Sequence, residues 1–210
     1  MTLEHLQRID ALLRAAPVVP VLAIDDLDDA VPLARALVDA GLSVLEVTLR
    51  TPAALDAIRR MRDVSGAIVG AGTVLTARDL AAVEAAGATF AISPGATDAL
   101  YAAAKSSAIP FLPGIATASE LMRGLEHGWT RFKFFPAEAS GGIAALKGFS
   151  GPFPQAKFCP TGGIDAAKAP TYRALPNVLT VGGSWMVPSD ALKAKDWHTI
   201  SSLAAAAAGR

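Results

Sequence analysis

Residues 27–50 read LDDAVPLARALVDAGLSVLEVTLR. The first half carries Leu27, Ala30, Val31, Ala34, Leu37 and Val38 at i, i+3, i+4 and i+7 spacing, which predicts a helix with one apolar side. Arg35 and Asp39 fall on the other side, as a solvated face requires. Gly41 follows, a residue that accepts the left-handed backbone on which helices often end. From Val44 the period drops to two: Leu45, Val47 and Leu49 share one face, and Val44, Glu46, Thr48 and Arg50 share the other. One helix, one tight turn and one strand make a unit.

The unit repeats along the chain. Apolar and often β-branched runs at 18–24, 44–48, 67–72, 90–93, 110–113, 131–134, 157–161 and 178–182 recur roughly every 20–26 residues. Ala/Leu-rich stretches of helical period lie between most of them. Asp25 or Asp26, Thr51, Thr76 and Asp165 stand where helix N-caps belong, and Gly41, Gly66, Gly87 and Gly128 where helices end. Such regular alternation implies a parallel sheet covered on both faces. Eight units favour closure into a (β/α)8 TIM barrel over an open sheet. Pro17 and Pro20 count against the first strand, because proline removes a ladder donor. Residues 1–16, apolar at Leu3, Leu6, Ile9, Leu12 and Leu13, are expected to form an additional N-terminal helix. Residues 201–210 are expected to form a terminal helix that frays. No linker is visible, so 1–210 reads as one domain.

Composition narrows the function. Apolar residues make up 52% and charged residues only 18%, which excludes a disordered chain. Lys plus Arg equals Asp plus Glu at 19 each, so no basic field exists for nucleic acid or a membrane surface. No apolar run reaches the length of a membrane span. Glu4, Arg8 and Asp10 break what a signal peptide would need as its apolar core. Cys159 is the single cysteine, which rules out an internal disulfide and fits a reducing cytoplasm. His5, His127 and His198 are scattered without metal-ligand spacing, so no metal site is expected.

The chemistry is concentrated at strand ends. In a barrel the mouth lies at the C-terminal ends of the strands, and alternate residues point inward. With Leu45, Val47 and Leu49 against the helices, Glu46, Thr48 and Arg50 face the interior. A carboxylate and a guanidinium there need partners, since an unpaired buried charge is costly. The plain alternative is a structural ion pair. At 131–135, Phe132 and Phe134 pack outward and turn Lys133 and Phe135 inward. Desolvation and a nearby Arg50 favour the neutral, nucleophilic amine, whereas Glu46 favours the ammonium, and the sequence leaves that contest open. The plain alternative for Lys133 is a side chain reaching out to solvent.

Thr161-Gly162-Gly163 and Gly182-Gly183-Ser184 follow the last two strands, where barrels often bind phosphate through backbone N–H groups. Tight turns without a ligand are the alternative. Gly70-Ala71-Gly72-Thr73 lacks the third glycine of a dinucleotide fingerprint. Thr73 reads better as a hydroxyl donor to a substrate carboxylate or carbonyl. Ser93-Pro94-Gly95 and Leu112-Pro113-Gly114 close the fourth and fifth strands and shape the pocket wall.

Together these segments resemble the 2-keto-3-deoxy-6-phosphogluconate (KDPG) and 4-hydroxy-2-oxoglutarate (KHG) aldolases, class I aldolases of the Entner–Doudoroff pathway. The resemblance covers nearly the whole chain and is carried by residues 17–24, EVTLRT from Glu46, 70–74, FKFFPAE from Phe132, 160–164, and GGSW from Gly182. It implies that Lys133 is the Schiff-base lysine and Glu46 the general acid/base. It implies that Arg50 and Thr73 bind the pyruvate carboxylate, with Pro94 and Phe135 lining the pocket. Thr161 would contact a substrate hydroxyl, and Gly162, Gly163, Gly183 and Ser184 would hold the phosphate. It further implies no metal or organic cofactor, a homotrimer, and activity on KHG beside KDPG. Related phosphogalactonate aldolases share much of the pattern. From the residues alone, a sugar-phosphate isomerase or a non-catalytic sugar-phosphate sensor on the same barrel stay open. The presence of Glu46 with Lys133 argues against the sensor, which needs no acid/base pair.

Overall fold

A computed structural model of the protein describes residues 2–210. Eight strands alternate with helices: β1 (Val18–Leu22), β2 (Val44–Thr48), β3 (Ile68–Gly72), β4 (Ala91–Ile92), β5 (Phe111–Leu112 and Gly114–Ile115), β6 (Arg131–Phe134), β7 (Lys157–Pro160) and β8 (Val181–Gly183). Every ladder is parallel, running in order from β1 to β8. β8 pairs with β1, with Val18 opposite Val181, and bridges at Phe158–Val178 and Thr161–Gly182 join β7 to the β8 segment. The ring is thereby closed, as the eightfold alternation predicts.

Prolines fall in β1, in β5 and at the end of β7, and the first two show how the barrel tolerates them. Pro20 lies inside β1 opposite Gly183, so the expectation that proline would count against this strand is not met. Pro113 divides β5, because it has no N–H to give. Its carbonyl still accepts from the Lys133 amide at 2.9 Å, so β4 and β6 remain connected through the break. The fifth strand therefore extends beyond its expected end at 113.

The helices are α1 (Leu3–Ala15), α2 (Ala30–Asp39, after a 3-10 turn at Leu27–Asp29), α3 (Ala54–Met61), α4 (Ala77–Ala85), α5 (Asp98–Ser106), α6 (Ala118–Glu126), α7 (Gly142–Ser150), α8 (Ala169–Arg173), α9 (Ser189–Lys193) and α10 (Trp197–Ala208). Asp26 caps the 3-10 turn, Thr76 caps α4 within a full capping box, and Asp165 accepts from the Lys168 amide just before α8. Thr51 does not cap α3. Its hydroxyl donates to the Ile24 carbonyl at 2.6 Å, tying the end of β2 to the end of β1. Gly41, Gly66, Gly87 and Gly128 all have positive φ, as helix ends require. The terminal helix starts earlier than expected and packs against α2, with Ile200 and Ala204 buried. Apolar contact along its length holds a helix whose sequence alone suggests fraying.

The expected N-terminal helix is present from Leu3, and Met1 lies outside the described residues. Its buried Ile9 and Leu13 join Val19, Val44, Phe90, Ile92, Leu112 and Cys159 in an apolar cluster separate from the larger core. These strand residues face into the ring, and α1 packs beneath them as the floor of the barrel. Asp10 pairs with Arg131 at the start of β6 and fixes α1 there. The larger core lies outside the ring, where Leu45, Val47, Phe132, Phe134 and Phe158 meet the helices.

Candidate active site

The parity of β2 and β6 puts Glu46 and Lys133 inside the ring, although the two strands are not neighbours. They meet across the interior. Lys133 Nζ donates to Glu46 Oε1 at 2.9 Å, with Lys133 only 5% and Glu46 2% exposed. Two charged groups removed from water to this degree are tolerable because each partners the other. Gly72 makes the room: a Cβ there would lie 2.1 Å from Glu46 Oε1. The Lys133 ammonium position is also 5.4 Å from the centre of the Phe135 ring. Cys159 sits opposite Lys133 in the next strand, and burial pushes its thiol pKa up to about 12, so it is no rival nucleophile.

Arg50 lies beyond the end of β2 and stands exposed at the rim. The structural ion pair between Glu46 and Arg50 does not form, because Glu46 is taken by Lys133. Among the described residues Arg50 has no carboxylate partner. Its Nε instead donates to the Thr48 hydroxyl at 2.9 Å, and that hydroxyl donates to the Leu22 carbonyl at 2.7 Å. A guanidinium oriented in this way and left unpaired can meet an incoming carboxylate or phosphate bidentately.

Thr73 adopts φ of 59°, a left-handed conformation that costs a β-branched residue about 1–3 kcal/mol. The turn directly follows β3 and aims the chain along the pocket wall. A cavity of about 360 Å³ gathers Arg50, Thr73, Pro94, Lys133, Phe135 and Thr161. A second of about 170 Å³ adjoins it, sharing Arg50, Phe135 and Thr161, and is lined by Gly162, Gly163, Gly183 and Ser184. Every residue expected at the site therefore lines one of the two cavities, apart from Glu46, which touches Lys133. Four were not foreseen as lining: Val21, Thr48, Leu75 and Ile164. The inward parity of Thr48 was the available signal. Nothing local marks Leu75, an exposed leucine at the rim.

Among the described residues no group of three His, Cys, Asp or Glu could hold a metal ion, and no helix is long and apolar enough to cross a membrane. His127 is bound to Asp98 at 3.0 Å and stacked on Tyr101, away from the mouth.

Fold and site together define a class: closed (β/α)8 barrels with a buried lysine–carboxylate pair beneath a cavity rimmed by an unpaired arginine and glycine turns. Comparison with known proteins makes the class specific. The family model described as KDPG and KHG aldolase matches residues 9–203. A 2-dehydro-3-deoxy-phosphogluconate aldolase of Pseudoalteromonas atlantica is 58% identical over 189 residues, covering 90% of this chain and 88% of the relative. The KDPG aldolase of Legionella pneumophila, solved with pyruvate captured as a covalent carbinolamine, superposes with a TM-score of 0.92 at 52% identity, covering 94% of this chain and 96% of that one. The Zymomonas mobilis ZM4 enzyme, solved with 3-phosphoglycerate, gives 0.93 at 51% identity, covering 96% and 95%. The chain belongs to the KDPG and KHG aldolase family and is a carbon–carbon lyase.

Proposed function

We propose that this chain cleaves KDPG to pyruvate and glyceraldehyde 3-phosphate, with Lys133 as the nucleophile and Glu46 as its acid/base partner. KHG is the second substrate. The observation that carries the assignment of roles is the buried 2.9 Å contact between Lys133 Nζ and Glu46 at the barrel mouth. An isomerase could use Lys133 and Glu46 for proton transfer without a covalent bond, but the covalent pyruvate carbinolamine captured in the Legionella relative supports the aldolase reading over it and over a sensor.

Glu46 accepts a proton from the Lys133 ammonium, and the freed amine adds to the C2 ketone to give a carbinolamine. Glu46 returns that proton to the carbinolamine hydroxyl, which leaves as water to give the iminium and a free Glu46 carboxylate. Glu46 then takes the proton of the C4 hydroxyl, directly or through a water, as the C3–C4 bond breaks. The bonding electrons pass into the iminium, leaving the enamine of pyruvate and free glyceraldehyde 3-phosphate. Protonation at C3 and addition of water release pyruvate and restore Lys133. Arg50 and Thr73 hold the C1 carboxylate against the lysine, with Pro94 and Phe135 as walls. Thr161 meets a substrate hydroxyl, while Gly162, Gly163, Gly183 and Ser184 hold the phosphate in the smaller cavity.

The chemistry needs neither a metal nor an organic cofactor. A cytoplasmic homotrimer completes the reading; the family resemblance supports the trimer, and a lone buried thiol suits a reducing compartment. The direct test supplies KDPG in chelator-treated buffer and measures pyruvate release. Full release is expected, with KHG also cleaved; release only after a divalent metal is restored would overturn the mechanism.

A further inference from the structure

A carboxylate stands behind the turn assigned to the phosphate, where an anion is electrostatically misplaced. A Cβ on Gly163 would lie 2.8 Å from Glu138 Cγ. Glu138 is held from two sides: Tyr172 Oη donates to Oε1, and Lys168 Nζ lies 2.8 Å from Oε2. The lysine hydrogen bond, followed by that of the tyrosine, holds the Glu138 carboxyl below its ordinary range, and the same contact raises Lys168, so both stay charged at neutral pH.

The backbone explains what this arrangement does. Three successive carbonyls of the turn are drawn to one side. Thr161 O accepts from the Ala137 amide at 2.8 Å, Gly162 O from the Glu138 amide at 3.1 Å, and Gly163 O from Lys168 Nζ at 2.9 Å. The intervening peptide bonds are trans. In a trans peptide the N–H points opposite to the carbonyl that precedes it. Fixing these carbonyls on one side turns the amides of Gly163 and Ile164 to the other, the side of the cavity those residues line. Neither amide donates a hydrogen bond among the described residues, whereas the Gly162 amide faces Gly182 across the Thr161–Gly182 bridge. Two free N–H groups converging in a turn form a small anion-binding nest.

We infer that Glu138 and Lys168 are positioning residues: Glu138 anchors Lys168 on the Gly163 carbonyl, and this hold aims the Ile164 amide at the substrate phosphate. The inference rests on the phosphate assignment above. Tyr172 fixes Glu138 in turn, so a negative side chain aids anion binding through the backbone despite its charge.

The sign of the Glu138 effect separates positioning from plain electrostatics. The measurement is kcat/KM for KDPG divided by kcat/KM for KHG, which has no phosphate. Lys168→Met and Glu138→Ala should each lower that ratio about tenfold, the equivalent of one charge-assisted hydrogen bond, and Lys168→Arg should recover most of it. If charge acted directly, Glu138→Ala would raise the ratio while Lys168→Met lowered it, and the inference would fail. An equal loss on both substrates would show a merely structural role and also overturn it. Lys168 has a side chain 43% exposed, so Lys168→Met should fold even if Glu138→Ala does not. Ser184→Ala is the control for the underlying assignment. Should Ser184→Ala lower the ratio while Lys168→Met leaves it unchanged, the positioning role is wrong and the phosphate site stands. Should neither change it, the phosphate binds elsewhere and both fall.

Discussion

The floor and the mouth of this barrel are built from the same strands, a few residues apart, yet they follow opposite rules. At the floor the inward positions include Val19, Val44 and Phe90, closed off by Ile9 and Leu13 of α1. At the mouth, two residues beyond Val44, the inward position holds Glu46, and in β6 it holds Lys133. Burying the floor is favourable at about 25 cal/mol per Å² of apolar surface. Burying the mouth is costly, and it is made tolerable only by the pairing of two charges with each other. The apolar inward positions under α1 and the reactive pair thus follow different rules within one ring, while the larger core packs outside it. Strand alternation makes this separation possible within five-residue strands.

That contrast can be broken from either end. Glu46→Gln keeps the shape of the side chain and its contact with Lys133 but removes the base. Turnover of KDPG should fall about 10²–10⁴-fold, the usual range for loss of a positioned acid/base, and the denaturant midpoint should fall as well, because the buried Lys133 loses its charged partner. A variant within threefold of wild type would remove Glu46 from the mechanism. Leu13→Ala tests the floor. The cavity left under α1 should cost about 2–5 kcal/mol of unfolding free energy, read from urea melts, while kcat per folded molecule stays within about twofold because the mouth is untouched. Loss of kcat in the folded fraction would mean that floor and mouth are coupled and the separation is false.

Much of this separation is legible in the sequence, and the reasons for the rest are physical. Parity along EVT and FKF is a local property, so the inward direction of Glu46 and Lys133 follows from their apolar neighbours. Their contact does not, because closure of the ring brings together residues 87 apart in the chain. The existence of α1 follows from its helical period, but its place under the barrel depends on Asp10 finding Arg131. Pro20 looks like a strand breaker from composition and proves compatible, since β1 loses one donor and keeps its remaining pairs. The cap expected at Thr51 failed because its hydroxyl had a better partner in another strand, at Ile24. The glycines after β7 announce a permissive turn. The carbonyls of that turn bond to Ala137, Glu138 and Lys168, and nothing in the local sequence places those residues beside it.

Lys133 is proposed as the residue that bonds covalently to substrate, and trapping the bond decides it. The protein is incubated with pyruvate and borohydride and digested, and the adduct is located by mass spectrometry. A single reduced pyruvyl adduct on Lys133 is expected, absent when pyruvate is omitted. An adduct on Lys147 or Lys157, or no pyruvate-dependent adduct under conditions where KDPG is cleaved, would contradict it.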